Sequence, residues 1–596
     1  MAHAPERRRT SWPPLSTTLL LAIALLLLAC QREGGALPDG QSGTFPEPPE
    51  GSLTLVSLGD FHGALYESNL HDDPRRAHGG LPWLASAVAT LRQQHPRLLL
   101  LDAGDLFQGA IPVNASLGMG AVQAMNLIGL DATVVGNHDF DYGGLPGVHP
   151  LRGALKAAMR ASKFPWLAAN IRILDANNEA SPWRPPGIRP WTVVERDGVK
   201  VALIGLSTTH TPNTTLPKHV ADLRFDDPVA TTLALLDEVE KAAPHLTVIL
   251  GHLSGECVRS GDGTPCTFDG EVGDLLAALP PGKVDVIIAG HSHALHLNQH
   301  DGVWVMQGGA KGSHLAILEV PISAGVAKLD AAQGRLWHLV HDRVEPGCSG
   351  APFPMDALDV GGTLLRPSAD ALQLVAALET AAGAGRCEVV ACADEPLRRA
   401  ARAESALGNL AADAARALYP GADIGLQNAG GLRTDLGAGE IRREDVQGLM
   451  PFDNEIYLVT LDGAQLLRVL QVGTAGAHGL IQVSGLRYGY HDGCQNPVDL
   501  NGDGHVAPWE HDCLCWVEVA GRPLDPSATY RVAVNNYLVD GGDRMDALFA
   551  NAPISERGVL VRDAIVRHLQ QGEQGCLSTA TLVDQEAPRI VAATCH

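Results

Sequence analysis

Positive charge is scarce in this chain: 44 Lys and Arg stand against 67 Asp and Glu, giving a formal net charge of −23 over 596 residues. Affinity for nucleic-acid polymers rests on Lys and Arg neutralising many phosphates, so a protein that coats DNA or RNA is excluded. One anionic substrate held in a locally cationic pocket is not. Long apolar runs are also missing. The stretch from Leu15 to Leu28 is the apparent candidate and falls short of the roughly 20 residues a membrane helix needs. None of the eleven cysteines falls within the strand-end motifs of carboxylates and imidazoles described below, so no catalytic thiol is expected. The 45% hydrophobic content excludes wholesale disorder and predicts more than one globular domain with a filled core.

Arg7, Arg8 and Arg9 precede the apolar stretch, which stops at "LLAC" with Cys30 last. This is the layout of a secretory signal, so residues 1–29 are set apart from the fold. "LLAC" resembles the bacterial lipobox, whose cysteine is lipidated and becomes the new N-terminus, implying a membrane anchor at Cys30. Gln31, standing where an Asp would retain an enteric lipoprotein at the inner membrane, implies the outer membrane of the cell envelope. Residues 30–50, rich in Gly, Pro and polar groups, read as a flexible tether. Export permits disulfides, and ten cysteines remain once Cys30 is assigned to lipid. Cys257 and Cys266, Cys387 and Cys392, and Cys576 and Cys595 are near in sequence. Cys494, Cys513 and Cys515 cluster, and Cys348 has no obvious neighbour. Spacing does not fix the pairing, so several bridges of open connectivity are expected.

From Leu53 to about Leu315 one pattern repeats: a short aliphatic run, then polar residues, then often an amphipathic stretch such as "GLPWLASAVATLRQQ". The runs are "LTLVSLGD", "RLLLLDAGD", "ATVVGNHD", "VALIGLS", "LTVILGH", "VDVIIAGHSH" and "VWVMQGG". Near-continuous aliphatic runs of this length suit strands buried on both faces, which predicts an α/β layered domain with sheets sandwiched by helices. At the ends of these runs stand Asp60, His62, Asp105, Asn137, His138, His252, His291 and His293. Each alone is commonplace, as a helix cap or a satisfied histidine. Together they would converge, because α/β sheets gather strand ends at one rim.

A set of carboxylates and imidazoles without thiols favours one or two divalent first-row ions such as Zn²⁺ or Mn²⁺. Asp105, central in the set, is placed to bridge two ions. Two such ions polarise a phosphoryl oxygen and acidify a water for in-line attack. Asn137 would be a neutral ligand, and His138, oriented by Asp139, would hydrogen-bond the phosphoryl group and the leaving oxygen.

"GDFHG", "DAGD", "GNHDFDYG", "LGHLS" and "GHSH" resemble the successive blocks of calcineurin-like metallophosphoesterases, and "GDFHGAL" with "FPWLAANI" is similar to the 5′-nucleotidase family among them. The resemblance implies a first metal on Asp60, His62, Asp105 and His293, and a second on Asp105, Asn137, His252 and His291. It places the metallophosphoesterase domain at 51–340. A connector follows at 341–386, whose "SADALQLVAALETAA" predicts a helix with Ser368 as N-cap.

Residues 387–596 carry "ESALGNLAADAARA", "LQNAGGLRTDL", "PFDN", "SGLRYGY" and "YRVAVNNYLVDGGDRM", in the order of that family's α/β substrate-binding domain. The resemblance implies a nucleoside clamped between Phe452 and Tyr537, with polar contacts from Asn428, Arg433 and Asp543. Arg402 would add a phosphate contact, with Arg398 or Arg399 as alternatives. Arg544 and Met545 depart from the Gly and aromatic common after "GGD", and are expected to reshape the base pocket or bring a cation to it. The implied activity is hydrolysis of nucleoside 5′-monophosphates. Nucleotide-sugar or diphosphate cleavage and 2′,3′-cyclic nucleotide hydrolysis share the metal blocks and stay open, as does a non-catalytic nucleotide-binding surface protein.

One stretch belongs to none of this. "DLNGDGHVAPWE", within an insertion at 494–515, matches a calcium loop of the EF-hand kind. Asp499, Asn501 and Asp503 take its first, third and fifth positions, the His505 carbonyl the seventh and Glu510 the twelfth. Flanking helices are not evident, so a structural calcium ion in a β insertion is expected, stapled by Cys494 with Cys513 or Cys515.

Overall fold

The computed structural model describes residues 51–596 except 71–72, 74, 145–150, 259–265, 345–354, 384, 476–478, 501, 503, 508, 573–574 and 596. The expected secretory signal and tether, with Cys30, lie outside the described residues, as do Cys348, Asn501 and Asp503.

All seven aliphatic runs form strands: Leu53–Ser57, Leu98–Leu101, Thr133–Val134, Val199–Ser207, Leu246–His252, Val286–Ala289 and Val303–Gly308. Two of them enter a four-stranded sheet, ordered Gln333–His338, His314–Val320, Leu53–Ser57, Leu98–Leu101. Four enter a six-stranded sheet, ordered Trp191–Arg196, Val199–Ser207, Leu246–His252, Val286–Ala289, Val303–Gly308, Leu295–His300. Thr133–Val134 pairs in parallel with Trp166–Leu167 in a smaller sheet.

The period-two alternation of a strand explains the layering. Val201, Leu203, Val248, Leu250, Val286 and Ile288 cluster with Leu53, Leu55, Leu99, Leu101, Ala316 and Leu318 of the other sheet. Their sequence neighbours Ala202, Ile204, Ile249 and Ile287 turn the opposite way, onto Leu236, Val239, Val272 and Leu275 of the helices Pro228–Glu240 and Gly270–Ala278. Both faces are therefore apolar, and the runs read as continuous. Each such side chain contributes about 1.5–3 kcal/mol by leaving water.

The connector helix forms at Ala369–Ala382, with the Ser368 hydroxyl accepting from the Ala371 N–H at 3.3 Å. Beyond it, a five-stranded sheet runs Ile481–Ser484, Ile424–Asn428, Thr529–Asn535, Glu455–Asp462, Ile554–Leu560. Helices Ala406–Leu418 and Val561–Gln571 supply Leu410, Ala411, Ala414 and Ile565 to one of its cores. Helix Gly463–Thr474 and a four-stranded sheet containing Leu486–Tyr490 and Leu514–Val519 supply the other.

Disulfides join Cys257 to Cys266, Cys392 to Cys576, Cys494 to Cys513 and Cys515 to Cys595, and Cys387 is bonded as well. Two of these pairings cross sequence separations of 184 and 80 residues, which no local spacing announces. The insertion is closed at its base by the Cys494–Cys513 bridge and a pairing of Pro497 with His511.

Candidate metal centre and substrate cleft

Parallel strands deliver the predicted ligands to one rim. Asp60 and His62 follow Leu53–Ser57, Asp105 follows Leu98–Leu101, Asn137 follows Thr133–Val134, His252 ends its own strand, and His291 and His293 follow Val286–Ala289. Asp60, Asp105 and His252 are buried with ligand atoms within 4.8 Å of one another. At one end of the cluster the Nε2 atoms of His62 and His293 lie 3.0 Å apart. At the other, His252 Nε2 meets Asn137 Oδ1 at 2.9 Å and His291 Nδ1 at 3.2 Å. Asp105 Oδ2 lies between, 3.8 Å from His62 Nε2 and 3.2 Å from His252 Nε2.

The donor set decides whether these residues fit a cation. His252 Nδ1 donates to the Ala103 carbonyl at 2.9 Å, so the neutral ring carries a bare lone pair on Nε2. The Asn137 amide donates to the Thr214 carbonyl at 3.1 Å, which turns Oδ1 toward that lone pair. With the ring neutral, acceptors face acceptors in this buried site, an arrangement that a cation reconciles. Protonation tells the same story. Burial pushes the Asp60 carboxyl up to about 7 and the His291 ring down to about 3. Against burial, the Asp105 carboxylate pulls His252 up to about 10.

Tight backbone packing holds the set. A Cβ on Gly136 would overlap the Asp105 carboxylate, and one on Gly290 would lie 2.5 Å from Asp60 Oδ1. His62, Asp105, His291 and His293 all adopt positive φ, between 47° and 74°. Such left-handed backbone costs a non-glycine residue on the order of 1–3 kcal/mol and clusters at functional sites.

The orientation of His138 corrects the sequence reading. Its Nδ1 lies 2.7 Å from Asp141 Oδ2, and Asp139 instead accepts the backbone N–H groups of Gly136, Asp105 and Phe107 at 2.8, 3.2 and 3.2 Å. The 3₁₀ turn His138–Phe140 explains the exchange, since side chains three apart eclipse in such a turn and adjacent ones diverge. Asp139 therefore shapes the loop that carries Asp105, and Asp141 holds the imidazole. Burial acts against protonating His138, but Asp141 and Asp105 raise its pKa above the ordinary value.

A cavity of about 200 Å³ opens over this rim, lined by Asp105, Asn137, His138, Asp141, His291 and His293 from one side. Asn428, Arg433, Phe452, Tyr537 and Asp543 line it from the other. The Phe452 and His138 rings lie 5.4 Å apart between centroids, and the Arg433 guanidinium sits 5.9 Å from the Phe452 ring centre. Asn428 Oδ1 accepts from Asn535 Nδ2 at 2.9 Å and from Gln427 Nε2 at 3.1 Å. The Tyr537 hydroxyl lies 2.7 Å from the Asn213 carbonyl and 2.8 Å from Asp543 Oδ1. Gln108 and Asn114, which sequence reasoning missed, donate to the Pro451 carbonyl across the cleft at 3.3 and 2.6 Å.

Arg402 does not line the cavity; it is exposed and paired with Asp492 at 2.8 Å. Of the alternatives, Arg399 approaches the site and donates to the Leu432 carbonyl at 3.1 Å. Lys311 lies close by, donating to the Arg433 carbonyl at 3.4 Å, and burial, with Arg433 and Arg399 nearby, pushes its amine down to about 7. Arg544 brings no charge to the base pocket, since its guanidinium stacks 4.6 Å from the Trp509 ring of the insertion, and Met545 is buried in the core. In the insertion Asp499 accepts the N–H groups of Gly502 and Gly504 at 2.6 and 2.9 Å. Glu510 is fully buried and accepts those of Leu500 and Ala507 at 3.0 and 2.7 Å, while His505 is exposed.

Residues 53–295 match the family "Calcineurin-like phosphoesterase", and residues 383–550 match "5'-nucleotidase, C-terminal domain". The chain belongs to the 5′-nucleotidase family of calcineurin-like phosphoesterases. Within this family of hydrolases it is 27% identical over 532 residues to Cell wall protein Lmo0130 of Listeria monocytogenes, covering 83% of this chain and 64% of that one. The chain thus spans less than two thirds of that relative's length. It is 26% identical to Protein UshA of Yersinia enterocolitica, covering 82% and 86% of the two chains. The crystal structure of a 5′-nucleotidase precursor from Thermus thermophilus superposes with a TM-score of 0.70 at 26% identity, covering 91% of this chain and 99% of that one.

Proposed function

We propose that the protein hydrolyses nucleoside 5′-monophosphates to a nucleoside and orthophosphate. Family membership supports nucleotide phosphoester hydrolysis as the reaction class. The narrower reading rests on one observation: a single cavity is lined both by the ligand set with His138 and by Phe452, Tyr537, Asn428, Arg433 and Asp543. In this reading residues 51–340 carry the metals and residues 387–596 carry the nucleoside.

Asp60, His62, Asp105 and His293 would hold one divalent ion, and Asp105, Asn137, His252 and His291 the other. Two ions, Zn²⁺ or Mn²⁺, would polarise the phosphoryl group and acidify the attacking water. The chain's own residues do the rest. Arg433 and Asn428 bind the anionic end of the substrate, with Arg399 making this part of an acidic protein locally positive. Phe452 and Tyr537 receive the base, a stack of that kind being worth about 1–3 kcal/mol. Asp141 holds His138 Nδ1, so Nε2 donates its proton to the departing 5′ oxygen.

The name of the Listeria relative and the signal-like N-terminus support an envelope location, with a lipid anchor at Cys30 and, through Gln31, the outer membrane. The 499–510 loop is proposed to hold one structural Ca²⁺ through Asp499, Asn501, Asp503, the His505 carbonyl and Glu510. The turn of Gly504 N–H onto Asp499 supports that reading.

The decisive experiment measures free phosphate from a panel of nucleoside monophosphates, nucleotide sugars and 2′,3′-cyclic nucleotides, before and after chelation and with Zn²⁺ or Mn²⁺ returned. The expected result is highest kcat/KM on 5′-monophosphates, lost on chelation and restored by metal. Preference for sugars or cyclic diesters, or turnover surviving complete metal removal, would overturn the proposal.

A further inference from the structure

A second group of metal-type ligands lies away from the cleft. Cys257, Cys266, His296 and His300 each offer one atom, and these four atoms all fall within 4.8 Å of one another. His296 and His300 stand on Leu295–His300, the edge strand of the six-stranded sheet, and positions four apart share a face. Their rings lean together along the strand until the Nε2 atoms are 2.9 Å apart. Phe268 sets its ring edge to face against both, with centroids at 4.8 and 5.1 Å. Phe268 is in turn the register partner of Cys257 in a two-stranded pairing, which carries both cysteines to the imidazoles.

We propose that Cys257, Cys266, His296 and His300 form a second metal centre that takes one Zn²⁺ in tetrahedral Cys₂His₂ coordination once a dithiol reductant has opened the Cys257–Cys266 disulfide. Zn–N bonds near 2.0 Å and Zn–S bonds near 2.3 Å place tetrahedral ligands roughly 3.3–3.8 Å apart, so the two nitrogens need only part slightly. The sulfurs must separate further, which requires reduction. The dithiol passes two electrons and two protons to the sulfur–sulfur bond and leaves as its own disulfide. Zn²⁺ then displaces the two thiol protons as it binds. Among the described disulfides this one closes the shortest loop, with a sequence separation of 9 against 19, 80 and 184, so its opening releases the least chain entropy.

The position gives the exchange a purpose. Cys257 lies on the segment that leaves His252, and His296 on the segment that leaves His293, so a clamp here joins two segments that each follow a predicted ligand of the cleft. In oxidising surroundings the disulfide ties only the first segment to itself. With zinc bound, the two segments are tied to each other.

Co²⁺ replaces Zn²⁺ in such sites and reports thiolate ligands by charge-transfer absorption, which the thiol-free catalytic set cannot produce. The full chain is titrated with Co²⁺ after mild dithiol treatment and, separately, without it, and metal content is counted after dialysis. Reduced protein is expected to show the thiolate band and one ion more than the oxidised form. His296→Ala with His300→Ala should lose that ion and the tetrahedral visible bands while melting as a folded protein. Cys257→Ser with Cys266→Ser should abolish the charge-transfer band. An unchanged ion count on reduction, or a band that persists in either double variant, overturns the proposal.

Discussion

Replacing Asp141 by Asn tests the assignment that the structure changed. The Asp141 carboxylate lies 2.7 Å from His138 Nδ1, and both side chains are close to nine-tenths buried, at 11% and 12% exposure. A hydrogen bond to a charged group in such a place is worth about 1.5–3 kcal/mol, and each 1.36 kcal/mol is tenfold in rate. The imidazolium is the form that loses this support. The kcat for a nucleoside 5′-monophosphate should therefore fall about 10- to 150-fold with KM nearly unchanged. p-Nitrophenyl phosphate separates the roles, because its leaving group departs well without a proton and should lose far less. Asp139→Asn makes the contrast: its carboxylate holds three backbone N–H groups around Asp105, so it should lower thermal stability and metal content for both substrates alike. Equal losses on the two substrates in Asp141→Asn, or a leaving-group dependence appearing in Asp139→Asn, would refute the reasoning.

Gly136→Ala should drive the Asp105 carboxylate from its place, cutting bound metal and turnover by about tenfold or more, read by elemental analysis and phosphate release. Calcium at about 10 mM should raise the melting temperature by the equivalent of roughly 1.4–2.7 kcal/mol if the loop binds with a Kd of about 10⁻⁴–10⁻³ M. Asp499→Ala with Glu510→Ala should show no such rise, and an equal rise would place the ion elsewhere. Cys30→Ser should move the protein from membrane to soluble fractions, and identical partitioning of the two would argue against lipidation. Burial beside His338 and His78 pushes the His314 ring down to about 3, so the fold favours its neutral form. That contribution is complete above the unfolded value near 6.5 and is lost as pH falls toward 3. Denaturation midpoints should decline across this window and decline less in His314→Gln.

The strands and the meeting of their ends were legible because the signal is local: each aliphatic run ends within a few residues of the side chain it positions. Asp60, His62, Asp105, Asn137, His252, His291 and His293 converge as strand ends in such a sheet must. The partner of His138 was misread because "NHDFD" offers two carboxylates, and only the 3₁₀ turn shows that the one three positions on faces the ring. Arg402 and Arg544 were misplaced for a related reason. A long flexible cation is drawn to the nearest partner, Asp492 in one case and the Trp509 ring in the other, and neither partner is announced by the motif. The Cys392–Cys576 and Cys515–Cys595 bridges join segments that are far apart in sequence and adjacent only in the fold.

The left-handed backbone at His62, Asp105, His291 and His293 sets selection for stability against selection for chemistry. At each of these positions glycine would relieve the steric conflict that a Cβ creates, worth roughly 1–2 kcal/mol. Random drift under pressure for robustness alone would thus push four positions of the proposed ligand set toward the one residue that has no side chain to offer. A lineage that stops using the site should therefore lose it in a recognisable way. Glycine would spread through these loops first, while Asn137 and His252, whose backbones carry no such tension, would linger as relics of the vanished centre.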